Sequence, residues 1–203
     1  MCRISGIVSS ELSPDKLQAA VKSMCDSMQH GGPDDSGIFV STDNKVILGN
    51  RRLALLDLSD KGHQPMQYGR DLTLTYNGEL YNFHELRQDL ISLGYQFSSA
   101  TDTEIILAAY KEWGVRSFER FSGMFAFALW DSRQRRLHQR VLGTVEQGQP
   151  ATEHIGLVVF HLVDIALDCC IHRQMRMNHS LGMARGAAGV HEQGGLAVVD
   201  IDL

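Results

Sequence analysis

Cysteine is scarce in this sequence, with four of 203 residues, and one of the four stands second in the chain. So few thiols do not make a disulfide framework, and we expect a reduced, cytoplasmic setting. No basic leader followed by an apolar run opens the chain, so we expect no secretory signal. The most apolar stretch, residues 156–171, is interrupted by His161, Asp164 and Asp168, which argues against a bilayer-spanning helix. The formal net charge of −5 gives no general attraction to nucleic acid or to an anionic membrane.

Lysine disappears and aromatic residues become rare after residue 137. Residues 1–137 hold both tryptophans, all five tyrosines and seven of the eight phenylalanines, whereas residues 138–203 hold Phe160 alone and no lysine. Two interpretations stay open, a distinct appended segment or a stretch translated in the wrong reading frame. We therefore expect a domain over residues 1–137, followed by an atypical segment over 138–203 of unknown fold.

Hydrophobic spacing and turn residues predict clusters of strands separated by helices. A proline after Ser13 predicts a helix over residues 14–28, and a capping pair of Asn82 with Glu85 predicts a second helix that ends at Gly94. A third helix is expected from Thr101 or Asp102 to about residue 113. Predicted strands cover residues 2–9, 46–48, 53–56, 72–76 (half-buried) and 124–130 (buried). Such clustering is typical of an α+β fold.

Cys2 is the first candidate for chemistry. The initiator methionine is usually removed when the next residue is small, which would leave this cysteine at the amino terminus. A free α-amino group titrates near ~7.7–8.0, so part of it is a neutral base at physiological pH. That base can take the thiol proton directly or through one water, and the thiolate is the reactive form. On position alone, an accidental cysteine is the alternative.

The Asn77-Gly78 pair at the end of a predicted strand is the second candidate. A side-chain amide N–H and a backbone N–H can point at one place there and form an oxyanion hole for an acyl intermediate. An ordinary hairpin turn is the alternative, because Asn-Gly also favours tight turns.

Six short motifs occur in a fixed order along residues 1–137. They are MCRISGI at 1–7, GPDD at 32–35, RLALLD at 52–57, NGELYN at 77–82, DTEII at 102–106 and GMFAF at 123–127. In this order the motifs resemble the class II glutamine amidotransferases. The NGELYN form resembles the asparagine synthetases rather than the sugar-phosphate or phosphoribosyl amidotransferases of that class.

This resemblance implies a role for each matching residue. Cys2 would attack the side-chain carboxamide of glutamine, release ammonia and leave a thioester that water hydrolyses. Asn77 and Gly78 would hold the oxyanion.

The same resemblance implies three substrate-binding residues. Arg52 would bind the α-carboxylate of glutamine, since a guanidinium fork matches two oxygens. Asp102 would take the α-ammonium group, assisted by the segment around Glu79. The neighbouring Arg51 is expected to be a solvated surface charge.

The fold that the resemblance implies is the α+β sandwich of N-terminal-nucleophile hydrolases, with two antiparallel sheets flanked by helices and an incomplete carboxyl end. No metal and no cofactor are expected in the glutaminase half. ATP and Mg²⁺ would be needed only by a synthetase domain, whose Ser-Gly-Gly-Xaa-Asp-Ser loop is not in this chain. The implied partners are L-glutamine, an ammonia-accepting synthetase domain or subunit, and a second copy in a homodimer.

Two departures from the family pattern bear on activity. The family loop reads Arg-Gly-Pro-Asp, and Gly32 is interpreted as standing where that arginine belongs, so hydrolysis is expected to be weaker. After residue 137 the sequence lacks the strands that complete the family's glutaminase fold. A truncated, catalytically impaired module that binds glutamine or a partner is therefore the main alternative. An amidotransferase that modifies a sugar is disfavoured by Asn82.

Other cysteines and histidines are expected to be structural. Cys25 shares a helical face with apolar residues and is expected in the core. The adjacent pair Cys169-Cys170 does not match the spacing that lets two thiolates share a zinc ion. The nearby His172, His179 and His191 therefore predict no metal site.

Overall fold

The structure is a computed structural model that describes residues 2–142, 159–162, 190–193 and 196–200. Its strands form two sheets, one ordered β2-β3-β1-β8 and the other β4-β5-β6-β7-β10-β9. The strand bounds are β1 Arg3–Val8, β2 Asp35–Val40, β3 Val46–Arg52, β4 Met66–Tyr68, β5 Leu72–Leu80, β6 Gly123–Asp131, β7 Arg136–Leu142, β8 Val159–Leu162, β9 Val190–Gln193 and β10 Leu196–Asp200. The helices are α1 Pro14–Ser27, α2 Phe83–Ser92 and α3 Asp102–Trp113.

Helix α1 begins where the sequence predicted it, with Ser13 in an extended conformation and Pro14 in the first turn. Proline suits that place because its fixed φ fits the helix and its missing N–H is not needed there. Leu17, Val21 and Cys25 lie one turn apart and are buried on one face. That face packs on the first sheet, so the expectation that Cys25 is a core residue is confirmed.

Neighbouring residues of a strand point to opposite sides of its sheet. Each sheet can therefore pack against the other sheet with one face and against helices with its other face. In β1, Ile7 contacts α1, whereas Val8 joins a cluster with Trp130 and Leu137 of the second sheet. In β3, Val46 and Leu48 enter that same inter-sheet cluster, between which Ile47 points to α1. The result is a four-layer arrangement, helix, sheet, sheet, helix, as the resemblance implied.

The outer face of the second sheet carries the largest core cluster. Leu74 and Phe127 are among its strand residues, and α2 and α3 cover them with side chains that include Leu90 and Ile106. The predicted buried strand at 124–130 is confirmed as β6. Strand β5 was expected to be half-buried, but Leu72 to Asn77 are all buried, because helices cover one face and the first sheet covers the other.

Three local predictions are wrong. Residues 53–56 form an irregular loop rather than a strand, and β3 instead runs on to Arg52. Asn82 does not cap α2 through its side chain within the described residues; its amide donates to the Arg120 carbonyl at 2.8 Å and its oxygen accepts from Ser122 N at 3.0 Å. Both contacts tie the start of α2 to the chain that enters β6. Strand β5 also continues past residue 76 to Leu80.

Strand β7 passes through the predicted domain boundary at residue 137. Strand β10 pairs with β7 on one side and with β9 on the other. Strand β8 pairs in parallel with β1, whereas the other described strand pairs are antiparallel. The side chains of Cys169, Cys170, His172 and His179 lie outside the described residues. Among the helices that the structure describes, none has the length and apolar character needed to cross a membrane.

The packing of α2 predicts a large difference between two of its leucines. Leu90 is fully buried, and Leu93, just after the helix, is 53% exposed. Leu90→Ala should lower the free energy of unfolding by about 2–5 kcal/mol because it leaves a cavity. Leu93→Ala, the matched control, should change it by no more than about 0.5 kcal/mol. Urea unfolding of both variants is the measurement, and equal losses would contradict this packing.

Candidate active site

The thiol of Cys2 lies against the backbone of the loop that follows β3. Leu53 N–H donates to Cys2 Sγ at 3.3 Å, and the thiol can donate to the Leu53 carbonyl at 3.6 Å. The side chain is partly buried. A backbone N–H aimed at sulfur stabilises the thiolate, so the contact favours the reactive form.

The environment of Cys2 acts on its ionisation in two directions. Burial raises the pKa of the Cys2 thiol above its usual value, because a charged sulfur loses hydration. The Leu53 N–H, the positive amino group of Met1 and the Arg52 guanidinium lower the pKa in part. Because burial is the larger effect, the resting form is the neutral thiol, which needs a base beside it to react.

Strand register brings Cys2 towards the end of β5. Ile4, two residues after Cys2, pairs with Asn50 on β3. The Asn50 amide donates to the Tyr76 carbonyl at 3.3 Å and to Thr75 Oγ1 at 3.1 Å. This buried amide therefore links the two sheets directly beside Asn77.

Asn77 is a buried polar side chain whose hydrogen bonds are not made. It is 1% exposed, and among the residues that the structure describes neither its Nδ2 nor its Oδ1 has a partner. A buried amide without partners is costly, and such groups are rare outside sites that receive a ligand. The amide is therefore available to donate to a bound oxygen.

Gly78 follows in a conformation that only glycine adopts without strain. Its φ is +148°, and an added Cβ would overlap the backbone of Met124 and Phe125 on β6. The β5–β6 pairing thus requires glycine here. Because β5 continues through Asn77 and Gly78 to Leu80, these two residues are not the hairpin turn that the sequence offered as an alternative.

Asp102 is held by the strand that carries Asn77. Its Oδ2 accepts from Tyr76 O–H at 2.8 Å and from Leu80 N–H at 3.1 Å, and the residue is 4% exposed. Burial raises the pKa of Asp102 above its usual value, although these two donors lower it. Glu79, between the two partners, is exposed beside the same strand end.

Arg52 lies under the loop of residues 53–62. Nη1 donates to the Ser59 carbonyl at 3.3 Å, and Nη2 donates to the Asp57 carbonyl. The residue is 6% exposed, and the lack of a side chain at Gly62 leaves room for its guanidinium. The neighbouring Arg51 was expected to be solvated, but it donates to the Cys25 carbonyl at 3.0 Å and to Asp26 at 3.1 Å, so it anchors α1 to β3.

Several residues that support the site were not singled out from the sequence. Asp57 fixes the loop over Arg52 by accepting from the Ser59 hydroxyl at 2.6 Å, from Ala100 N at 3.1 Å and from Ser59 N at 2.9 Å, and these donors lower its pKa to about 2. Glu104 accepts from Ser98 N at 3.0 Å and Ser99 N at 2.7 Å and so orders the chain before Asp102. Asp57 and Glu104 both stand in the matched motifs, which was the available signal.

The assignment of the missing loop arginine to position 32 is wrong. Gly32, Pro33 and Asp34 are the Gly-Pro-Asp of the loop itself, so the residue before them, Gly31, stands where the arginine would be. A Cβ on Gly32 would overlap the backbone of Arg51, so no side chain fits there. The departure from the family pattern is real but lies one residue earlier.

A family model described as a glutamine amidotransferase domain matches residues 1–141. Curated relatives include a putative glutamine-hydrolyzing asparagine synthetase 2 of Methanocaldococcus jannaschii, 35% identical over 151 residues that cover 66% of this chain and 28% of the relative. The glutamine-hydrolyzing asparagine synthetase B of Escherichia coli is 40% identical over 136 residues, which cover 66% of this chain and 24% of the relative. The matched part of this chain thus spans about a quarter of those relatives.

Solved structures share the fold at lower identity. Glutamine phosphoribosylpyrophosphate amidotransferase from Bacillus subtilis, complexed with ADP and GMP, aligns with a TM-score of 0.52 at 20% identity and covers 69% of this chain and 36% of that chain. A structure of the allosteric regulatory enzyme of purine biosynthesis aligns with a TM-score of 0.55 at 21% identity and covers 70% of this chain and 37% of that chain.

The environment of Asp102 predicts an unusual effect on stability. Because its pKa is raised in the folded protein, its contribution to stability is full at acidic pH and is lost as the pH rises through that pKa. Asp102→Asn keeps an oxygen for Tyr76 and Leu80 but carries no charge. At neutral pH the variant should be at least as stable as the original protein, and this advantage should shrink at acidic pH.

Urea unfolding across pH is the measurement, with Asp89→Asn on the exposed face of α2 as the matched control. The free energy of unfolding of the Asp89→Asn control should match that of the unaltered protein at each pH. An Asp102→Asn variant that is clearly less stable at neutral pH would show that the ionised carboxylate stabilises the fold.

Proposed function

The chain belongs to the glutamine amidotransferase domain family, and we propose that it hydrolyses L-glutamine with Cys2 as nucleophile once Met1 is removed. The observation that carries the proposal is the thiol held by Leu53 N–H, at the edge of the sheets where the buried Asn77 amide has no partner among the described residues. Nucleophile and oxyanion donor are the two parts that acyl transfer requires.

The freed α-amino group of Cys2 is the base in this mechanism. The neutral thiol gives its proton to the amine, and sulfur attacks the carboxamide carbon of glutamine. The tetrahedral intermediate then collapses, the carbon–nitrogen bond breaks, and the proton goes to the leaving ammonia. Water, activated by the same amine, adds to the thioester, releases glutamate and restores the thiol.

Asn77 and Gly78 stabilise the charge that develops on the carboxamide oxygen. The Asn77 amide lies in a water-poor setting, where a hydrogen bond to an oxyanion contributes more than it does in solvent. The β5–β6 ladder holds this end of β5 rigidly, so the donors need little reorganisation during the reaction.

Arg52 and Asp102 recognise the two charged groups of the substrate, with Glu79 assisting at the strand end. A guanidinium has five N–H donors, and the contacts of Arg52 to two carbonyls leave capacity for a carboxylate. Asp102 provides a negative charge for the α-ammonium group, and binding that cation would favour its ionised form. Burial of both residues strengthens these interactions.

In the whole protein, we propose, the released ammonia serves asparagine synthesis. The support is that the curated relatives are glutamine-hydrolyzing asparagine synthetases about four times as long as the region they share with this chain. Their remaining length leaves room for an ammonia-accepting synthetase domain that uses ATP and Mg²⁺, whereas the glutaminase half needs neither. The reaction would take place in the cytoplasm, and a homodimer is the proposed assembly.

Replacing the nucleophile should stop glutamine hydrolysis. Cys2→Ala should release no ammonia above the uncatalysed rate, because the thiol that forms the thioester in this mechanism is removed. The matched control is Cys25→Ala, which removes the buried thiol of α1 and should keep most of the activity. Ammonia release from glutamine by the purified proteins is the measurement, and equal release by Cys2→Ala and the unaltered protein would exclude Cys2. Glutamine binding without turnover by the unaltered chain would favour the impaired module.

Removing the oxyanion donor should affect turnover more than binding. Asn77→Ala should lower kcat about 10²–10³-fold with a small change in KM, because the donor acts in the transition state. Steady-state glutaminase kinetics test this, with melting temperature as a check on folding. The opposite pattern, raised KM with unchanged kcat, would place Asn77 in ground-state binding.

A further inference from the structure

The side chain of Arg3 occupies the place where a side chain on Gly31 would begin. A Cβ on Gly31 would lie 2.7 Å from Arg3 Cζ and Nε and 2.8 Å from Arg3 Cγ. Gly31 is the position at which the family pattern has an arginine. The guanidinium therefore reaches the same place from residue 3, on the strand beside the nucleophile.

Arg3 also holds the backbone of Cys2. Its Nη1 donates to the Cys2 carbonyl at 3.1 Å. In β1, Arg3 pairs with Arg51, so its backbone position is fixed by the sheet. The side chain thus lies between the nucleophile and the turn of residues 29–34, which we call the glycine loop.

The glycine loop returns to Cys2 on its other side. Asp34 N donates to the Arg52 carbonyl at 3.0 Å, and the Asp34 carboxylate accepts from Ala54 N at 2.9 Å. Between these two residues is Leu53, whose N–H contacts Cys2 Sγ. The contacts close a ring from Cys2 through Arg3 and the glycine loop to Leu53.

We propose that Arg3 is a positioning residue that replaces the family's loop arginine and holds the glycine loop and Leu53 in place against Cys2. Its effect on turnover rests on the proposed glutaminase function, whereas its effect on the loop does not. On this basis the glycine at position 31 does not impair the enzyme, because it makes room for Arg3. A side chain at either position can fill the space, and a side chain on Gly31 would require Arg3 to move.

A double-mutant cycle on the full chain tests this exchange. The variants are Arg3→Ala, Gly31→Ala, the two combined, and the swap Arg3→Gly with Gly31→Arg. Gly31→Ala should displace Arg3 in the original protein but have little further effect once Arg3 is absent. Arg70→Ala, at an exposed arginine before β5, is the matched control.

Two readouts do not need glutamine. Amide hydrogen exchange at Gly31, Gly32 and Asp34 should be about five- to tenfold faster in Arg3→Ala, as expected for the loss of one ordering interaction, and should return to the original rate in the swap. The rate at which iodoacetamide alkylates Cys2, read by mass spectrometry, should change in Arg3→Ala and be restored in the swap.

The kinetic readout separates positioning from general destabilisation. Arg3→Ala should lower kcat by about 10–100-fold with a smaller change in KM and an unchanged melting temperature, and the swap should recover activity to within about threefold. Additive effects of the two single changes, or a swap no better than Arg3→Ala, would overturn the proposal. If the original chain releases no ammonia, the proposed function fails while exchange and alkylation still decide the role of Arg3.

Discussion

The pairing of β1 with β3 is the constraint on which the rest of the site depends. A nucleophile that uses its own α-amino group must stand at the start of a chain, where the backbone is normally poorly ordered. Here the ladder begins at Arg3, one residue later, and runs opposite Arg51 to Val46. It places Cys2 against the first residue after β3, so that Leu53 N–H meets Sγ. Ile7 and Val8 are buried on opposite faces of β1, so a one-residue slip would exchange the side chains that contact α1 and the second sheet.

The second sheet adds the other half of the site through its own ladder. Strand β5 is buried on both faces and pairs with β6 along its length, which gives Asn77, Tyr76 and Leu80 little freedom. Asp102 begins α3, and it joins this strand through Tyr76 and Leu80. The Asn50 amide connects the two sheets at this point. Burying an acid, and an amide that has no partner among the described residues, costs free energy, which the surrounding core of aromatic and aliphatic side chains offsets.

Much of this arrangement could be predicted from the sequence because its local signals are strong. Pro14 with the spacing of Leu17, Val21 and Cys25 predicted α1, and the apolar run at 124–130 predicted β6. Irregular backbone was harder to predict. The loop after Arg52 resembles a strand in composition, but its chain is shaped by the contact of the Arg52 guanidinium with the Ser59 carbonyl and by the contact of Asp57 with the distant Ala100. Asn82 has the sequence of a helix cap, but it binds Arg120 and Ser122 instead.

The sequence by itself determined the family of this chain and its candidate site residues, because an ordered set of motifs places a cysteine at position 2, an Asn-Gly at 77–78 and charged residues at 52 and 102. Only the tertiary structure decided how these groups are held. It showed that Asn77 is buried without a hydrogen-bond partner among the described residues and that the Asp102 carboxylate accepts a hydrogen bond from the Tyr76 hydroxyl. It also placed the Arg3 side chain against Gly31. The reason is physical. The types of the reactive residues are given by the amino-acid sequence, whereas burial, strand register and the shared space of Arg3 and Gly31 arise only after folding.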